Sequence, residues 1–240
     1  MNLIVIPARY GSTRFPGKPL VKINGKEMIL HVYDRAKKVK NAHRVIIATD
    51  NEQIYNVAKK YGAEVEMTDV DIKSGTDRVW EVAKNKNFEI VVNLQGDEPF
   101  IKPDIINLAI LELENNKDID ISTPITKIND LKEVHDPNVV KVVFNKEKIA
   151  IYFSRSPIPY YRDENSEKNF FKHIGLYCFR KSSLGKFVNF PQSNLEKIEK
   201  LEQLRAIENG LKIKVYETNY CGVAIDTPSD LEKIKNLTSS

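Results

Sequence analysis

Short apolar runs alternate with amphipathic stretches along the first half of the chain. The apolar, β-branched runs predict buried strands at residues 3–6, 44–48, 63–67 and 90–94. Apolar residues recur at helical spacing between these runs and predict helices at 27–40, 52–61, after a cap at Ser74 or Thr76, and at 103–114. Pro7 is expected to end the first strand. This alternation predicts an α/β fold with a mostly parallel sheet, in which ligands gather at the carboxyl ends of the strands.

The pattern changes beyond about residue 120, where the predicted strands become shorter and pair locally. Residues 139–144 and 149–153 flank a four-residue polar turn and predict a hairpin, and the loop 154–169 is long enough to indicate a functional segment. The remaining predicted elements are a strand at 170–179, a helix from the capping box Ser193–Glu196 to near Gly210, strands at 212–217 and 223–225, and a last helix begun by Thr227 and Pro228. We therefore expect one domain, 1–240, with a small β-rich insert lobe of about 120–190 that contributes acceptor and dimer contacts.

A basic loop follows the first predicted strand. It contains Arg9, Arg14 and Lys18, interleaved with glycines and small polar residues, so several cations and backbone N–H groups would converge at the strand end. A triphosphate suits such a loop, although a solvated basic loop is the plainer alternative. The loop is neither a Walker motif nor a dinucleotide fingerprint. Because Pro19 biases Lys18 away from helical angles, we expect an extended loop here.

Two aspartates follow predicted strands and are candidate metal ligands. Asp97 comes directly after the strand 90–94, and Asp226 lies between the strand 223–225 and the last helix. A carboxylate at a strand end, across from a basic loop, is well placed to hold Mg²⁺ against phosphates, whereas Asp in a turn or before a helix is the plainer alternative. Glu98 is a weaker substitute for Asp97. Two Asp-x-Asp pairs, Asp69/Asp71 and Asp118/Asp120, are interpreted as solvated turns because two-residue patterns are weak signals.

Composition is that of a globular enzyme. The chain has 240 residues, 41% of them hydrophobic and 29% charged, and its net charge of +4 comes from lysines spread along the whole length. This spread argues against nucleic acid as a partner and suits small anionic ligands. No secretory signal or membrane-length apolar run is expected, and Cys178 and Cys221 lack metal-type spacing. These features together predict a cytoplasmic protein with thiols in a reducing compartment.

Several motifs together resemble the 3-deoxy-manno-octulosonate (KDO) cytidylyltransferases, also called CMP-KDO synthetases. The first twenty residues carry Ile6-Pro7-Ala8-Arg9, Ser12, Arg14, Pro16 and Lys18, and residues 74–78 read SGTDR. The stretches that extend the resemblance over nearly the whole chain are HDPNVVKVV, IYFSRSPIPYYR, KHIGLY, LEKIEKLEQLR and GVAIDTPSDLE. Ile72 stands where family members often carry His, two residues before the serine of SGTDR.

The resemblance implies a Rossmann-like, GT-A-like nucleotidyltransferase fold that couples CTP to an acidic eight-carbon 2-keto sugar, as a homodimer with Mg²⁺. It assigns catalysis to Lys18, Arg14, Asp97 and Asp226, the two aspartates being metal ligands. Nucleotide contacts are expected from Ala8, Arg9, Gly11, Ser12, Arg14, Lys18, Thr49, Asp50, Ser74 and Gly75. Sugar contacts are expected from Arg78, Gln95, Arg155, His173, Glu202 and Gln203. The product, CMP-KDO, would be the activated sugar for lipopolysaccharide biosynthesis.

Three other functions remain compatible with parts of the sequence. One is a nucleotidyltransferase for a sialic acid or a sugar phosphate, which the SGTDR and SRSPIPY stretches disfavour. Another is a metal-dependent glycosyltransferase that uses an Asp-x-Asp pair, and the third is a catalytically silent nucleotide-binding module. KDO and its 8-amino form are not distinguished by the sequence.

Overall fold

The computed structural model describes residues 1–11, 15–163, 165–220, 222, 225, 227, 230 and 231. It divides into two compact units. The first unit comprises Met1–Leu108 with Gly222–Ser240, and the second comprises Ala109–Cys221.

The first unit is built on a parallel sheet. Its strands are β1 (Asn2–Ala8), β2 (Lys22–Ile23), β3 (Lys26–Glu27), β4 (Arg44–Thr49), β5 (Val65–Met67) and β6 (Ile90–Leu94). Its helices are α1 (Met28–Lys37), α2 (Glu52–Lys60), α3 (Gly75–Ala83) and the first part of α4 (Pro103–Asn115). Four strands lie in the order β5-β4-β1-β6, all parallel, while β2 and β3 form a small separate ribbon. The predicted α/β fold with a mostly parallel sheet is confirmed.

The central strands are buried because helices follow each of them and return along the sheet. Leu3, Ile4, Val5 and Ile6 of β1 have no exposed surface, and β6 is buried throughout. The prediction that Pro7 ends β1 is wrong: the strand continues to Ala8, and Pro7 pairs with Ala48 of β4. The pairing of β1 with β6 stops at Val5, so the missing N–H of Pro7 costs no hydrogen bond to β6.

The second unit contains the remaining elements. They are β7 (Ile121–Lys127), α5 (Leu131–His135), β8 (Lys141–Phe144), β9 (Ala150–Ser154), β10 (Phe171–His173), β11 (Leu176–Arg180), α6 (Lys181–Asn189), α7 (Asn194–Glu199), α8 (Gln203–Glu208) and β12 (Ile213–Glu217). Strand β7 pairs with β12 in parallel and with β10 and β11 in antiparallel orientation. The predicted hairpin is present as β8 and β9, closed by a turn in which Lys148 has a φ of 60°.

Two predicted elements of the second unit are each divided in the structure. The strand expected at 170–179 is interrupted after His173, where Gly175 separates β10 from β11. The helix expected from Ser193 to near Gly210 is two helices, because Lys200 adopts a left-handed conformation with a φ of 55° between α7 and α8. Helix α6 is not anticipated by the sequence pattern. Among the described residues, no helix is both long and apolar enough to cross a membrane.

Candidate functional site

A cavity of about 410 Å³ opens in the first unit where β1 and β6 end and α3 begins. Its position agrees with the expectation that ligands of parallel sheets lie at the carboxyl ends of strands. The residues that line it are Pro7, Ala8, Arg9, Lys18, Pro19, Ile72, Lys73, Ser74, Gly75, Arg78, Gln95, Gly96 and Asp97. Four of these side chains, those of Arg9, Lys18, Lys73 and Arg78, carry positive charge.

Lys18 reaches the cavity from a short 3-10 turn, Lys18–Leu20, rather than from the extended loop that Pro19 predicted. Gly17 precedes the turn with a φ of 70°, and its N–H donates to the carbonyl of Tyr10 at 3.0 Å. A side chain at Gly17 would be strained by this φ and would press on the Tyr10 ring at 3.3 Å. Pro19 is tolerated because the first positions of a helical turn need no N–H donor.

Lys18 and Asp97 form an ion pair inside the cavity. The Lys18 Nζ donates to Asp97 Oδ2 at 2.8 Å, and the two side chains are only 16% and 24% exposed. A small core supports this arrangement: Ile23, Met28, Ile225 and Leu231 pack together, with Phe15, Val21 and Phe100 against them. This core fixes the segment that carries Lys18.

The chain near residue 225 lies beside Asp97. The N–H of Ile225 donates to the Asp97 carbonyl at 3.0 Å, and Thr227 and Asp230 cap each other's backbone N–H groups. Asp226, the predicted partner of Asp97, lies outside the described residues, as do Ser12 and Arg14.

The loop after β6 approaches the end of β1 closely. A Cβ added at Gly96 would lie 3.1 Å from the carbonyl oxygen of Pro7, so a larger residue would push the two backbone segments apart by a few tenths of an ångström. One residue earlier, Gln95 lines the cavity, and its Nε2 donates to Oδ1 of Asn93 at 3.0 Å. Asn93 is fully buried and donates in turn to Oγ1 of Thr76 at 3.0 Å.

Helix α3 begins at the cavity wall. Ser74 is its N-cap: the Ser74 hydroxyl accepts from the Asp77 N–H at 3.0 Å and donates to the Asp77 carboxylate at 2.8 Å. The positive end of the helix therefore faces the cavity at Ser74 and Gly75, which suits an anionic ligand. The capping role predicted for Ser74 is confirmed.

Arg78 borders the cavity, but its guanidinium has partners within the first unit. Its Nη2 donates to Asp50 Oδ2 at 2.7 Å, and its Nη1 donates to the Thr68 hydroxyl and to the Asp69 carbonyl. Arg78 is 2% exposed, and Thr49 has no exposed surface. Asp50 and Thr49 do not line the cavity, and neither does Gly11, so the ligand contacts predicted for them stay predictions.

Arg9 and Lys73 are the exposed cations of the cavity rim. Neither makes an ion pair with any residue that the structure describes. Lys73 was not singled out from the sequence. The only feature of the sequence that could have indicated Lys73 is its position directly before Ser74 and Gly75. The neighbouring Ile72, which stands where the family pattern has another residue, also lines the cavity.

Asp97 fits a divalent cation held jointly by protein and substrate. Within the described ranges, no cluster of three or more His, Cys, Asp or Glu side chains could hold a metal ion by itself. Mg²⁺ commonly binds through one or two carboxylates together with substrate phosphates and water, and Asp97 offers a carboxylate oxygen to the cavity. Glu98 does not line the cavity and is 7% exposed, so Asp97 is the better placed of the two.

Asp69, Asp71 and Asp118 are exposed in or beside turns, as expected, whereas Asp120 is half-buried directly before β7 and is not a solvated turn residue. Asp69 Oδ1 accepts from the N–H of Asp71 at 2.9 Å. The two oxygens of Asp120 accept from the Ser183 hydroxyl at 2.6 Å and from the Lys212 N–H at 2.9 Å. Asp118 pairs with Lys212 at 3.1 Å, which lowers the pKa of its carboxyl.

Four predicted sugar contacts lie in the second unit. Arg155 donates from Nε to the Glu199 carbonyl and from Nη1 to the Pro137 carbonyl, both at 2.7 Å, and from Nη2 to the Lys200 carbonyl at 3.4 Å.

The fully buried Lys141 donates its three N–H groups to the carbonyls of Asp136 (3.0 Å), Val139 (2.6 Å) and Arg155 (2.6 Å).

His173 is held by Thr123 on the neighbouring strand. The Thr123 hydroxyl donates to the Leu176 carbonyl at 2.7 Å and therefore accepts from His173 Nε2, also at 2.7 Å. The imidazole packs on Phe153 and Tyr177 with ring centroids 5.2 and 5.1 Å away. Burial lowers the pKa of His173 to about 3, so the ring is neutral at physiological pH.

Glu202 and Gln203 lie at the start of α8. Gln203 is 5% exposed, and Glu202 lies 3.6 Å from Arg205. Arg205 is held mainly by Glu196, through two hydrogen bonds of 2.9 Å. The sugar contacts of Arg155, His173, Glu202 and Gln203 stay predictions.

Comparison with known proteins places this geometry in a family. The family model described as Cytidylyltransferase matches residues 3–213. The 3-deoxy-manno-octulosonate cytidylyltransferase of Solibacter usitatus (strain Ellin6076) is 50% identical over 233 residues, which cover 97% of this chain and 92% of the relative. The enzyme of the same name from Geobacter sulfurreducens (strain ATCC 51573 / DSM 12127 / PCA) is 45% identical, covering 98% of each chain. The chain belongs to the 3-deoxy-manno-octulosonate cytidylyltransferase family.

Solved structures agree with this membership. The structure of CMP:2-keto-3-deoxy-manno-octonic acid synthetase complexed with CTP has a TM-score of 0.95 at 40% identity and covers 99% of this chain and 98% of that one. The 4-diphosphocytidyl-2C-methyl-D-erythritol synthase of Anaerococcus prevotii shares the fold at 18% identity, with a TM-score of 0.64. The resemblance to the 3-deoxy-manno-octulosonate cytidylyltransferases inferred from motifs is thus confirmed over nearly the full length.

Proposed function

We propose that this chain transfers the cytidylyl group of CTP to KDO, giving CMP-KDO and pyrophosphate and so activating the sugar for lipopolysaccharide biosynthesis. The observation that carries the proposal is the cavity in which Lys18 meets Asp97, within a chain that is half identical to a relative named for this reaction. A cation and a carboxylate held together at strand ends suit a reaction in which a highly charged leaving group departs.

In the proposed reaction, the anomeric hydroxyl of KDO attacks the α-phosphorus of CTP, and pyrophosphate leaves in line. The side chains of Lys18 and Arg9 stabilise the negative charge that grows on the departing pyrophosphate. Ser74 and Gly75 present the start of α3 to the nucleotide, where backbone N–H groups and the helix dipole favour an anion. Arg14 is proposed to join the cations from outside the described residues.

The proposed cofactor is Mg²⁺, held by Asp97 and Asp226. When bound, the ion would lower the pKa of the attacking hydroxyl and polarise the α-phosphate. Lys18 Nζ lies 2.8 Å from Asp97 Oδ2, so its ammonium partly neutralises this carboxylate, and Lys18 would also be in reach of a triphosphate bound in the same cavity.

Release of pyrophosphate is the direct test. Purified protein is incubated with Mg²⁺, one nucleoside triphosphate and one acceptor, and pyrophosphate is measured by a coupled assay. The acceptors are KDO, 8-amino-KDO, a sialic acid and a sugar 1-phosphate. Release that requires both CTP and KDO supports the proposal. Preference for a sialic acid or a sugar phosphate would indicate another nucleotidyltransferase. Nucleotide binding without release of pyrophosphate would indicate a catalytically silent module. Glycosyl transfer from a nucleotide sugar would indicate a glycosyltransferase.

We further propose that the protein acts in the cytoplasm as a homodimer. Cys178 is a buried free thiol, which is compatible with a reducing compartment. The second unit carries an apolar groove of about 240 Å³ beside exposed large side chains: Tyr160 is 89% exposed and Leu131 is 57% exposed. Exposed apolar patches of this kind mark association surfaces. Sedimentation velocity on the wild type and on Tyr160→Asp tests the proposed dimer. The proposal is wrong if the wild type sediments as a monomer.

A further inference from the structure

A chain of buried hydrogen bonds connects α3 to the cavity through β6. Asn93 on β6 has no exposed surface, and both the nitrogen and the oxygen of its side-chain amide form hydrogen bonds. Its Nδ2 donates to Oγ1 of Thr76 at 3.0 Å, and its Oδ1 accepts from Nε2 of Gln95 at 3.0 Å. Thr76 is 4% exposed, and neither Thr76 nor Asn93 lines the cavity.

The Gln95 amide has its oxygen on the cavity side. Its Nε2 donates to Oδ1 of Asn93, an oxygen that can only accept. Its Oε1 lies beside Gly75, 4.0 Å from the position that a Cβ on Gly75 would take. The Thr76 hydroxyl holds the other end of the Asn93 amide, and because a hydroxyl can donate or accept, Thr76 anchors Asn93 without setting its polarity. Gln95 and Gly75 both line the cavity, so the group that Gln95 offers there is a carbonyl oxygen.

An amide oxygen selects its partner by chemistry. It accepts from hydroxyl and amino groups, and it is repelled by carboxylate and phosphate oxygens. Gln95 lies two residues before Asp97, close to the place where the acceptor must meet the α-phosphate. The neutral amide oxygen of Gln95 is suited to accept from a hydroxyl of the sugar. The anionic groups of both substrates would instead be bound by the cations of the cavity, such as Arg9 and Lys18.

We propose that Thr76 and Asn93 are positioning residues that fix the Gln95 amide with its oxygen facing the cavity, where it accepts a hydrogen bond from a hydroxyl of the acidic sugar. This inference rests on the proposed function. It adds two buried residues that hold the Gln95 amide in place. The substitution that tests it replaces Thr76, which is outside the cavity.

Thr76→Val removes the acceptor of Asn93 Nδ2 at nearly constant volume, and Thr76→Ser keeps it. Without that hydroxyl, one end of the buried Asn93 amide loses its hydrogen-bond partner, and Asn93 no longer holds the Gln95 amide in a fixed position. We expect Thr76→Val to raise the KM for KDO about tenfold, the size of one lost hydrogen bond, with little change in the KM for CTP. Thr76→Ser should restore the wild-type value.

A double-mutant cycle with Gln95→Met separates positioning from general destabilisation. If Thr76 acts through Gln95, Thr76→Val has no further effect on kcat/KM once Gln95 is Met, so the two effects are strongly non-additive. Additive effects, or a rise in the KM for CTP alone, would overturn the proposal.

A measurement without substrate keeps this test independent of the catalytic assignment. The side-chain amide signals of Gln95 in a ¹⁵N–¹H spectrum are identified by their loss in Gln95→Met. We expect slow exchange with solvent for one Gln95 Nε2 hydrogen in the wild type and in Thr76→Ser, and fast exchange in Thr76→Val. Equal exchange in all three proteins would contradict the positioning role, whereas absence of pyrophosphate release in the wild type would contradict only the proposed reaction and the sugar contact.

Discussion

Replacing Lys18 by Met should lower kcat without unfolding the protein. The change keeps an unbranched side chain one heavy atom shorter and removes the charge of the ammonium, which lies 2.8 Å from Asp97 on a side chain that is 16% exposed. Two unit charges about 4 Å apart interact by about 4 kcal/mol at an effective dielectric constant of about 20. The loss of one such electrostatic contact from the transition state corresponds to a decrease in kcat of about 10²–10³-fold.

The assay measures pyrophosphate release at saturating CTP, KDO and Mg²⁺, so that weaker binding does not hide the effect on kcat. Lys22→Met is the matched control, since Lys22 is a nearby surface lysine that is 64% exposed and does not line the cavity. We expect wild-type turnover from this control. Wild-type turnover from Lys18→Met, with an unchanged circular dichroism spectrum and melting temperature, would refute the role of Lys18 in stabilising the leaving group.

Three further predictions concern the ion pair and the second unit. In nucleotide-free protein, Lys18→Met should tighten Mn²⁺ binding, because Lys18 no longer competes for Asp97, and Asp97→Asn should weaken Mn²⁺ binding. Electron paramagnetic resonance measures both, and unchanged or weaker binding by Lys18→Met would contradict the prediction. His173→Gln should reduce the loss of stability on acidification: since the folded-state pKa of His173 is lowered to about 3, protons bind the unfolded state first, and stability falls as the pH drops below about 6.5, by about 1.4 kcal/mol per pH unit. Denaturant titrations at pH 7 and pH 5 check this prediction, and parallel pH dependence of stability in wild type and variant would argue against a lowered pKa of His173. Lys141→Met should lower the free energy of unfolding by about 2–4 kcal/mol, because three carbonyls lose a charged donor, whereas Lys146→Met on the exposed hairpin turn should change it by less than about 0.5 kcal/mol.

Sequence pattern was sufficient for the parallel half of the fold. Apolar β-branched runs that alternate with segments of helical periodicity are compatible with few folds other than a parallel α/β sheet. The strands β1, β4, β5 and β6 lie where the pattern predicted them. The pattern was less informative where local geometry decides. The left-handed Lys200, which divides one predicted helix into α7 and α8, is not marked by a glycine or proline.

Much of the site was also predictable, because Arg9, Lys18 and Asp97 follow strand ends that must meet at one edge of a parallel sheet. The buried chain from Thr76 to Gln95 was not. Recognising it requires knowledge that α3 packs against β6, and a single buried asparagine gives no signal of its partners in sequence.

The same limit applies to Arg78. Its place in the SGTDR motif suggested a ligand contact, which stays a prediction. The contacts of its guanidinium with Asp50, Thr68 and Asp69 depend on a tertiary arrangement that spacing does not reveal.

The most direct measurement of the proposed reaction follows the α-phosphate of CTP. Protein, Mg²⁺, KDO and CTP labelled at the α-phosphorus are combined, and the labelled sugar nucleotide and the released pyrophosphate are quantified together. We predict that the label passes entirely into CMP-KDO, with one pyrophosphate formed for each CMP-KDO. Release of orthophosphate, or formation of labelled CMP or CDP without transfer to the sugar, would contradict the account.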